Sequence, residues 1–271
     1  MAVLPAPAGS GIVFIRLDEP SRDPAIPAHA DLVASTNLGT TLRNGDGVEI
    51  ATVEHFLAAC AGLEIDNLIV EVDGPELPIL DGSSAPFVHL LLNAGLRSQA
   101  APRRRIEILE RVEVSHGTKW AALEPADVAE FDVTIRYADA PIGVQQRQYL
   151  PGRRAFLEDI AEARTYGFLK DVAQLHALGR GLGASYDNTV VIDAGRVVNY
   201  EGLRFSDEFV RHKILDAIGD LALAGAPILG RYCADQPGHE LNSRLVKALL
   251  AKTDAWRFSY GVEAPQMVAA G

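Results

Sequence analysis

The order of its strand-like and helix-like segments limits the folds that this chain can adopt. Alternation at 11–18 and a buried apolar run at 67–72 predict strands, and helical spacing at 52–61 predicts a helix between them. Strand-like segments return from residue 106 onward, and a long helical segment follows at 206–224. Because strands and helices come in groups and not as a strict βαβα repeat, the sequence predicts an α+β fold with two sandwich-like halves.

The most linker-like stretch of the chain is SQAAPRRR at 98–105, which combines a proline with a basic run. It predicts a boundary between a first α+β domain, 1–98, and a second, 99–271. With 271 residues, 48% of them hydrophobic, the chain is long and apolar enough to bury a substantial core.

Charge and cysteine content restrict the partners and the compartment. The formal net charge of −11 opposes binding to phosphate backbones, so nucleic acid is not an expected partner. The two cysteines, Cys60 and Cys233, are far apart and outside any CxxC pair, which favours a reducing cytoplasm.

Met1–Pro7 lacks the basic region of a signal peptide, and no run approaches the ~18 apolar residues of a membrane span. We therefore expect a cytoplasmic protein with no transmembrane segment. We also expect a monomer, although no sequence feature indicates the oligomeric state.

The long helical segment carries the first candidate metal ligands. His212 and Asp216 are four residues apart, so both side chains leave the same face of the helix, and Asp220 continues that face. A His and an Asp at this spacing can supply two ligands to zinc. The alternative is a solvated polar face with an incidental His–Asp contact. The apolar stripe of the helix lies elsewhere, at Ile214, Leu215, Ile218 and Leu221.

Glu54 and His55 are a second pair of candidates, in the first turn of the helix predicted at 52–61. Thr52 is the expected N-cap of that helix. Adjacent helical residues diverge by about 100°, so one side chain could bind a metal while the other contacts a water molecule beside it. The alternative is an ordinary first-turn Glu next to a partly buried His.

His239 stands at the start of the last predicted helix, with Asn242 one turn later. The positive end of the helix dipole lowers the pKa of a His, and a nearby carboxylate raises it. The alternative is a capping or surface His.

Together these residues fit one type of chemistry. Two His and one Asp can hold Zn²⁺ and leave a fourth position open for a water molecule, whose pKa the metal lowers to roughly 7. A Glu can take the proton of that water, and a cationic His can protonate a leaving nitrogen. The residues therefore predict amide hydrolysis, without indicating the substrate.

Several blocks of the sequence carry a family resemblance. The segments 52–88, 201–225 and 238–250, with ARTYGF at 163–168 and GASYDN at 183–188, follow one another in the order of a known family. On these blocks the chain resembles the UDP-3-O-acyl-N-acetylglucosamine deacetylases, the zinc deacetylases of lipid A biosynthesis. The resemblance implies two α+β domains, each a mixed sheet packed on two helices, with the active site between them.

The resemblance also implies a role for individual residues. The zinc positions fall on His55, His212 and Asp216, the general base on Glu54 and the general acid on His239. Asp220 takes the position of a carboxylate that pairs with the general acid. Thr165 takes the position of a hydroxyl near the oxyanion, and Lys213 that of a substrate contact. The stretch near 166–183 matches an insert that forms an apolar passage for the acyl chain. The implied cofactor is Zn²⁺, and the implied partner is a UDP-linked acylated glucosamine.

The chain departs from the family at its start. Family members carry further residues ahead of the segment that matches Val3–Pro7, including a GVGLHSG-like block that is absent here. We therefore expect an incomplete first domain that leaves Val13, Ile15, Val53 and Leu57 less well covered. An inactive, truncated relative that at most binds a UDP-sugar or an acyl chain is the alternative to an active deacetylase.

Overall fold

The amino-terminal half of the computed structural model packs a sheet on two helices. The structure describes residues 1–138, 141–173 and 183–269, without the side chains of 261–266. The strands of this half are β1 (Ala2–Pro5), β2 (Ile12–Arg16), β3 (Ala25–Pro27), β4 (Val33–Ser35), β5 (Thr41–Arg43), β6 (Glu49–Ile50) and β7 (Leu68–Val72), and its helices are α1 (Glu54–Gly62) and α2 (Ala85–Ala94). Strands β1, β7, β2 and β3 form a four-stranded mixed sheet, in that order, and β4–β6 form a smaller sheet.

The carboxyl-terminal half is richer in strands. These are β8 (Leu96–Ile108), β9 (Val112–His116), β10 (Lys119–Glu124), β11 (Glu130–Arg136), β12 (Val144–Tyr149), β13 (Tyr166–Phe168), β14 (Val190–Asp193), β15 (Arg196–Val197), β16 (Ile228–Leu229), β17 (Arg231–Asp235) and β18 (Trp256–Ala269). The helices are α3 (Arg153–Ala155), which continues into a π-helical turn, α4 (Glu208–Ala222) and α5 (His239–Ala251). The main sheet has the order β12–β11–β17–β10–β9 and is antiparallel except between β11 and β17. The predicted α+β class is confirmed.

Helices pack on both main sheets. Phe14 of β2 contacts Phe56 of α1, and Phe56 contacts Phe87 of α2, with ring centroids 6.1 and 5.5 Å apart. In the other half, α4 packs against β11 and β12, and α5 packs against β9 and β10. Helices α1 and α4 pack on each other between the sheets. Within the described ranges, no helix is both long and apolar enough to cross a membrane.

The contact between α1 and α4 depends on a glycine. A Cβ atom at Gly219 would lie 2.0 Å from the backbone oxygen of Glu54, which no side chain can tolerate without a shift of one helix. Gly219 therefore lets α4 approach the first turn of α1, and this approach brings Glu54 and His55 next to the polar face of α4.

Replacement of Gly219 by Ala should push the two helices apart and lower the free energy of unfolding by about 1–3 kcal/mol or more, the range for overpacked cores. Urea unfolding of the variant measures this loss. Gly74→Ala is the matched control, because a Cβ atom there meets nothing within 4 Å. Equal losses in both variants would show that the helix contact is not as tight as described.

Three sequence predictions need correction. The predicted linker at 98–105 is part of the long strand β8, which pairs with β18, so its backbone is ordered in a sheet. Thr52 is not the N-cap of α1, because Val53 takes that position and the Thr52 hydroxyl donates to Glu76 instead. The expected exposure of Val53 and Leu57 is also wrong, since both are fully buried.

Two further predictions stay open. The boundary between domains 1–98 and 99–271 remains a prediction. Of the proposed acyl-passage insert at 166–183, residues 174–182 lie outside the described residues. The described part of the insert contains β13 and a 3-10 turn at Leu169–Asp171.

Candidate active site

Three buried side chains meet where α1 contacts α4. His55 lies in the first turn of α1, and His212 and Asp216 lie one turn apart on α4. The Asp216 Oδ1 atom lies 3.3 Å from Nε2 of His212 and 3.7 Å from Nε2 of His55. One potential ligand atom from each residue lies within 4.8 Å of the other two. The polar face of α4 is thus buried, and the alternative of a solvated face is wrong.

The group fits a metal ion. Tetrahedral ligands that are about 2.0–2.1 Å from zinc lie roughly 3.3 Å apart, close to the spacings seen here. Among the described residues, the buried atoms Asp216 Oδ1 and His55 Nδ1 have no hydrogen-bond partner. Buried polar atoms without partners are unfavourable, and a bound ion can satisfy Asp216 Oδ1 directly. The His–His–Asp group can therefore bind a metal ion.

Neighbouring groups orient two of these ligands. Nδ1 of His212 lies 3.0 Å from the backbone oxygen of Ala163, which turns Nε2 toward Asp216. The Lys213 ammonium donates to Asp216 Oδ2 at 2.8 Å, which leaves Oδ1 to face the two His side chains. Burial lowers the pKa of both His55 and His212, to about 3 for His55, so both rings are neutral and can act as ligands. Burial would raise the pKa of Asp216, but its positively charged neighbours, Lys213 and His239, hold it well below its ordinary value.

Glu54 lies beside this group without belonging to it. Its side chain is only 3% exposed, and its Oε2 accepts a hydrogen bond from the Thr40 backbone N–H at 2.9 Å. A Cβ atom at Gly39 would lie 2.7 Å from Glu54 Oε1, so a larger residue there would displace this carboxylate. Burial raises the pKa of Glu54 to about 7. The charge of His239 lowers this pKa, and the neighbouring carboxylates of Asp220 and Asp216 raise it.

His239, at the start of α5, lies close to both Glu54 and Asp216. Its Nδ1 lies 2.9 Å from Asp220 Oδ2, so Nδ1 donates to that carboxylate. Its Nε2 points toward Glu54 Oε1 and Asp216 Oδ2, each 3.9 Å away. Burial lowers the pKa of His239, but Asp220, Asp216 and Glu54 outweigh burial and raise it to about 10. The ring is therefore cationic at neutral pH, as expected from a His paired with a carboxylate.

Thr165 lies at the edge of this arrangement. It is half-buried and immediately precedes β13. Two residues near it in the sequence approach His212: the backbone oxygen of Ala163 orients the His212 ring, and the ring of Tyr166 lies 6.2 Å from it. Its backbone is fixed, since its N–H donates to Gly82 and its oxygen accepts from Val190.

An ion pair that the sequence reasoning missed supports this segment. Arg164 is 2% exposed, and its Nε and its backbone N–H both donate to the fully buried carboxylate of Glu208. The same carboxylate accepts from the backbone N–H of Arg204. The pair links the segment that holds Ala163 and Thr165 to the first turn of α4. Helical periodicity gives no signal for such a pair, because its partners are 44 residues apart.

Glu208→Ala should leave the Arg164 guanidinium buried without its main partner and lower the free energy of unfolding by about 3–5 kcal/mol. Chemical denaturation measures the loss. Glu201→Ala is the matched control, because Glu201 also pairs with Arg164 but is 54% exposed. We expect a far smaller loss for that variant, and similar losses for both would contradict the importance of burial.

A cavity of about 570 Å³ lies apart from the site. Leu57, Ala61, Ile218 and Leu221 contribute to its lining from α1 and α4. Of the described residues, those predicted for the site do not line it. They are instead grouped around the contact of α1, α4 and α5.

A buried His–His–Asp group with a carboxylate and a cationic His beside it is typical of metal-dependent hydrolases. The comparison with known proteins gives the family. The chain belongs to the UDP-3-O-acyl N-acetylglycosamine deacetylase family (LpxC), which it matches over residues 1–251.

Individual relatives are similar over nearly the whole chain. The UDP-3-O-acyl-N-acetylglucosamine deacetylase of Phenylobacterium zucineum (strain HLK1) is 51% identical over 257 residues, which cover 95% of this chain and 88% of that protein. The protein of the same name from Shewanella violacea is 48% identical over 260 residues, covering 94% of this chain and 84% of that protein. A third, from Shewanella baltica (strain OS155), is 48% identical over 258 residues.

Proposed function

We propose that the protein hydrolyses the acetamide of a UDP-3-O-acyl-N-acetylglucosamine in lipid A biosynthesis. Water is consumed, and acetate and the UDP-3-O-acyl-glucosamine are released. The observation that carries this proposal is the grouping of His55, His212 and Asp216 beside Glu54 and His239, in a member of a deacetylase family. The same grouping favours an active enzyme over the inactive, truncated alternative.

Zn²⁺ is the ion that we assign to the site. Two imidazoles and one carboxylate form a ligand set of catalytic zinc sites, which keep one tetrahedral position open. When bound there, zinc supplies Lewis-acid chemistry that acidifies water and polarises a carbonyl group. The neutral rings of His55 and His212 and the ionised Asp216 are already in the protonation states that such binding needs.

The chain's own residues would handle the protons. Glu54 would accept a proton from the attacking water. Its buried carboxylate, which directly precedes His55 in α1 and lies 3.9 Å from Nε2 of His239, supports this role. His239 would give a proton to the leaving nitrogen from Nε2, since Nδ1 is committed to Asp220. Asp220 would hold the ring in this orientation and stabilise its charge. The Thr165 hydroxyl would stabilise the oxyanion that develops on the acetyl group.

Substrate contacts are assigned to two cationic side chains, Lys213 and Lys119. Lys213 lies next to His212, and its ammonium contacts Asp216 and the ring of Tyr166. A cavity of about 250 Å³ adjoins the start of α5, with Lys119, Tyr137 and Gln236 in its lining. Cationic side chains there would suit the diphosphate of a UDP-sugar.

The cytoplasmic location and the monomeric state stay predictions.

The test is a direct assay on the purified protein. Incubation with a UDP-3-O-acyl-N-acetylglucosamine should release acetate and a sugar product lighter by one acetyl group, both measurable by mass spectrometry. Removal of metal with a chelator should stop the release, and zinc should restore it. A protein with one zinc per chain that releases no acetate would support the inactive alternative.

A further inference from the structure

Thr40 makes three buried contacts within the site although no sequence pattern marks it. Its backbone N–H donates to Glu54 Oε2 at 2.9 Å, and its hydroxyl donates to Asp220 Oδ1 at 2.6 Å. Its backbone oxygen accepts from the N–H of Val53, just before α1. The side chain is 1% exposed. One residue of a loop thus connects a carboxylate on α1 with a carboxylate on α4.

The loop before β5 is shaped to bring Thr40 into the site. Leu38 has φ 65° and Gly39 has φ 156°, so the chain passes through two residues with positive φ immediately before Thr40. Gly39 also lies against Glu54 Oε1, which a Cβ atom at this position would displace. Positive φ at a bulky residue such as Leu38 is unfavourable and persists only when surrounding contacts stabilise it.

The hydroxyl of Thr40 completes the hydrogen bonds of Asp220. Oδ2 of Asp220 accepts from His239 Nδ1 and from Asn242 Nδ2, both at 2.9 Å, so Oδ1 depends on Thr40. A carboxylate with donors on both oxygens is fixed in rotation, which fixes the direction of the His239 ring. Without the hydroxyl, Oδ1 would be buried without its donor, and the carboxylate would turn toward other donors.

We propose that Thr40 is a positioning residue that fixes Glu54 and Asp220 relative to each other and, through Asp220, aims Nε2 of His239 at the reacting atoms. This inference rests on the deacetylase function proposed above. Thr40 contacts neither the metal ligands nor, in this proposal, the substrate. It therefore affects the rate of turnover and not the affinity for the metal or for the substrate.

Thr40→Val tests this directly, since Val keeps the shape and the backbone hydrogen bonds but lacks the hydroxyl. We expect kcat to fall roughly 10- to 100-fold, the range for loss of one charge-assisted hydrogen bond. KM should stay within about twofold of wild type, and zinc content should be unchanged, because neither depends on this bond. Thr40→Ser restores the hydroxyl and should recover kcat to within about threefold of wild type.

Thr41→Val is the matched control. Thr41 is also buried, but among the described residues its hydroxyl has no bond to Glu54 or Asp220. Wild-type kcat in Thr40→Val, or equal falls in Thr40→Val and Thr41→Val, would overturn the proposal. If Thr40→Val does not fold, Thr40→Cys replaces it, because the thiol is a weaker donor of similar shape. A kcat for Thr40→Cys equal to that of Thr40→Ser would then overturn the proposal.

A measurement independent of turnover separates this inference from the proposed function. The proton on His239 Nδ1 should give a resolved downfield signal in ¹⁵N-edited NMR, because it is buried and bonded to a carboxylate. We expect that signal to shift in Thr40→Val and to stay in place in Thr41→Val. An inactive wild-type protein would count against the deacetylase function alone, whereas an unmoved signal in Thr40→Val would count against the positioning role alone.

Discussion

Replacement of Glu54 by Gln is expected to lower kcat by about 10²–10⁴-fold, the usual contribution of a general base. Gln has nearly the same shape, and its side-chain oxygen can still accept the Thr40 backbone N–H that now bonds Glu54 Oε2. The substitution therefore removes the proton acceptor and little else. Steady-state deacetylation rates measure the loss, and metal analysis of the same sample should still find one zinc per chain.

Glu71→Gln serves as the control, since Glu71 lies in β7, outside the site. It should leave both the rate and the zinc content unchanged. Loss of zinc from Glu54→Gln would instead make Glu54 a ligand or a structural support of the metal group. A nearly normal rate with full zinc would assign the proton transfer to another group.

Local patterns in the sequence predicted the parts of the fold that depend on local interactions. The strand at β2 and the helix α4 follow from alternation and from helical spacing, and both occur within about two residues of the predicted bounds. The His212–Asp216 pair follows from the geometry of a single helix. Its burial does not, because burial of a polar face depends on which element packs against it, here the first turn of α1.

Long-range contacts explain most of what the sequence did not reveal. Strand β18 pairs with the segment 98–105, which a proline and a basic run had marked as a linker. Local composition favours a loop there, but pairing with a distant strand overrides that preference. Thr52 was predicted as a helix cap from its position next to α1, but its hydroxyl donates to Glu76, which is 24 residues away in the sequence.

The candidate site also combines residues that a local pattern predicts with residues that only long-range contacts bring together. His55 and His212 are 157 residues apart, so no spacing connects them, and the sequence grouped them only by their residue types and by the family blocks. Thr40 and Asp220 are 180 residues apart. A buried Thr has no distinctive sequence signal, so its place between two carboxylates becomes visible only when the packing of α1, α4 and the loop before β5 is known.

His212→Ala is expected to have the largest effect on metal binding. The substitution removes one nitrogen ligand from a group of three, so zinc affinity should fall by at least about 100-fold, the upper range for loss of an outer-shell partner. Deacetylation should fall below detection at ordinary zinc concentrations. Metal analysis after dialysis and titration with a zinc-sensitive dye measure the affinity directly.

Two other histidines make the result specific. His239→Ala should also lower the rate strongly, but it should keep its zinc, because Nδ1 of His239 bonds Asp220 and its ring is not part of the ligand group. His89→Ala, on an exposed position of α2, should change neither quantity. Loss of zinc in both His212→Ala and His239→Ala would mean that the metal lies closer to α5 than the His55–His212–Asp216 group places it. Retention of zinc in His212→Ala would remove that group as the metal site, and with it the basis for assigning Glu54 and His239 their roles beside it.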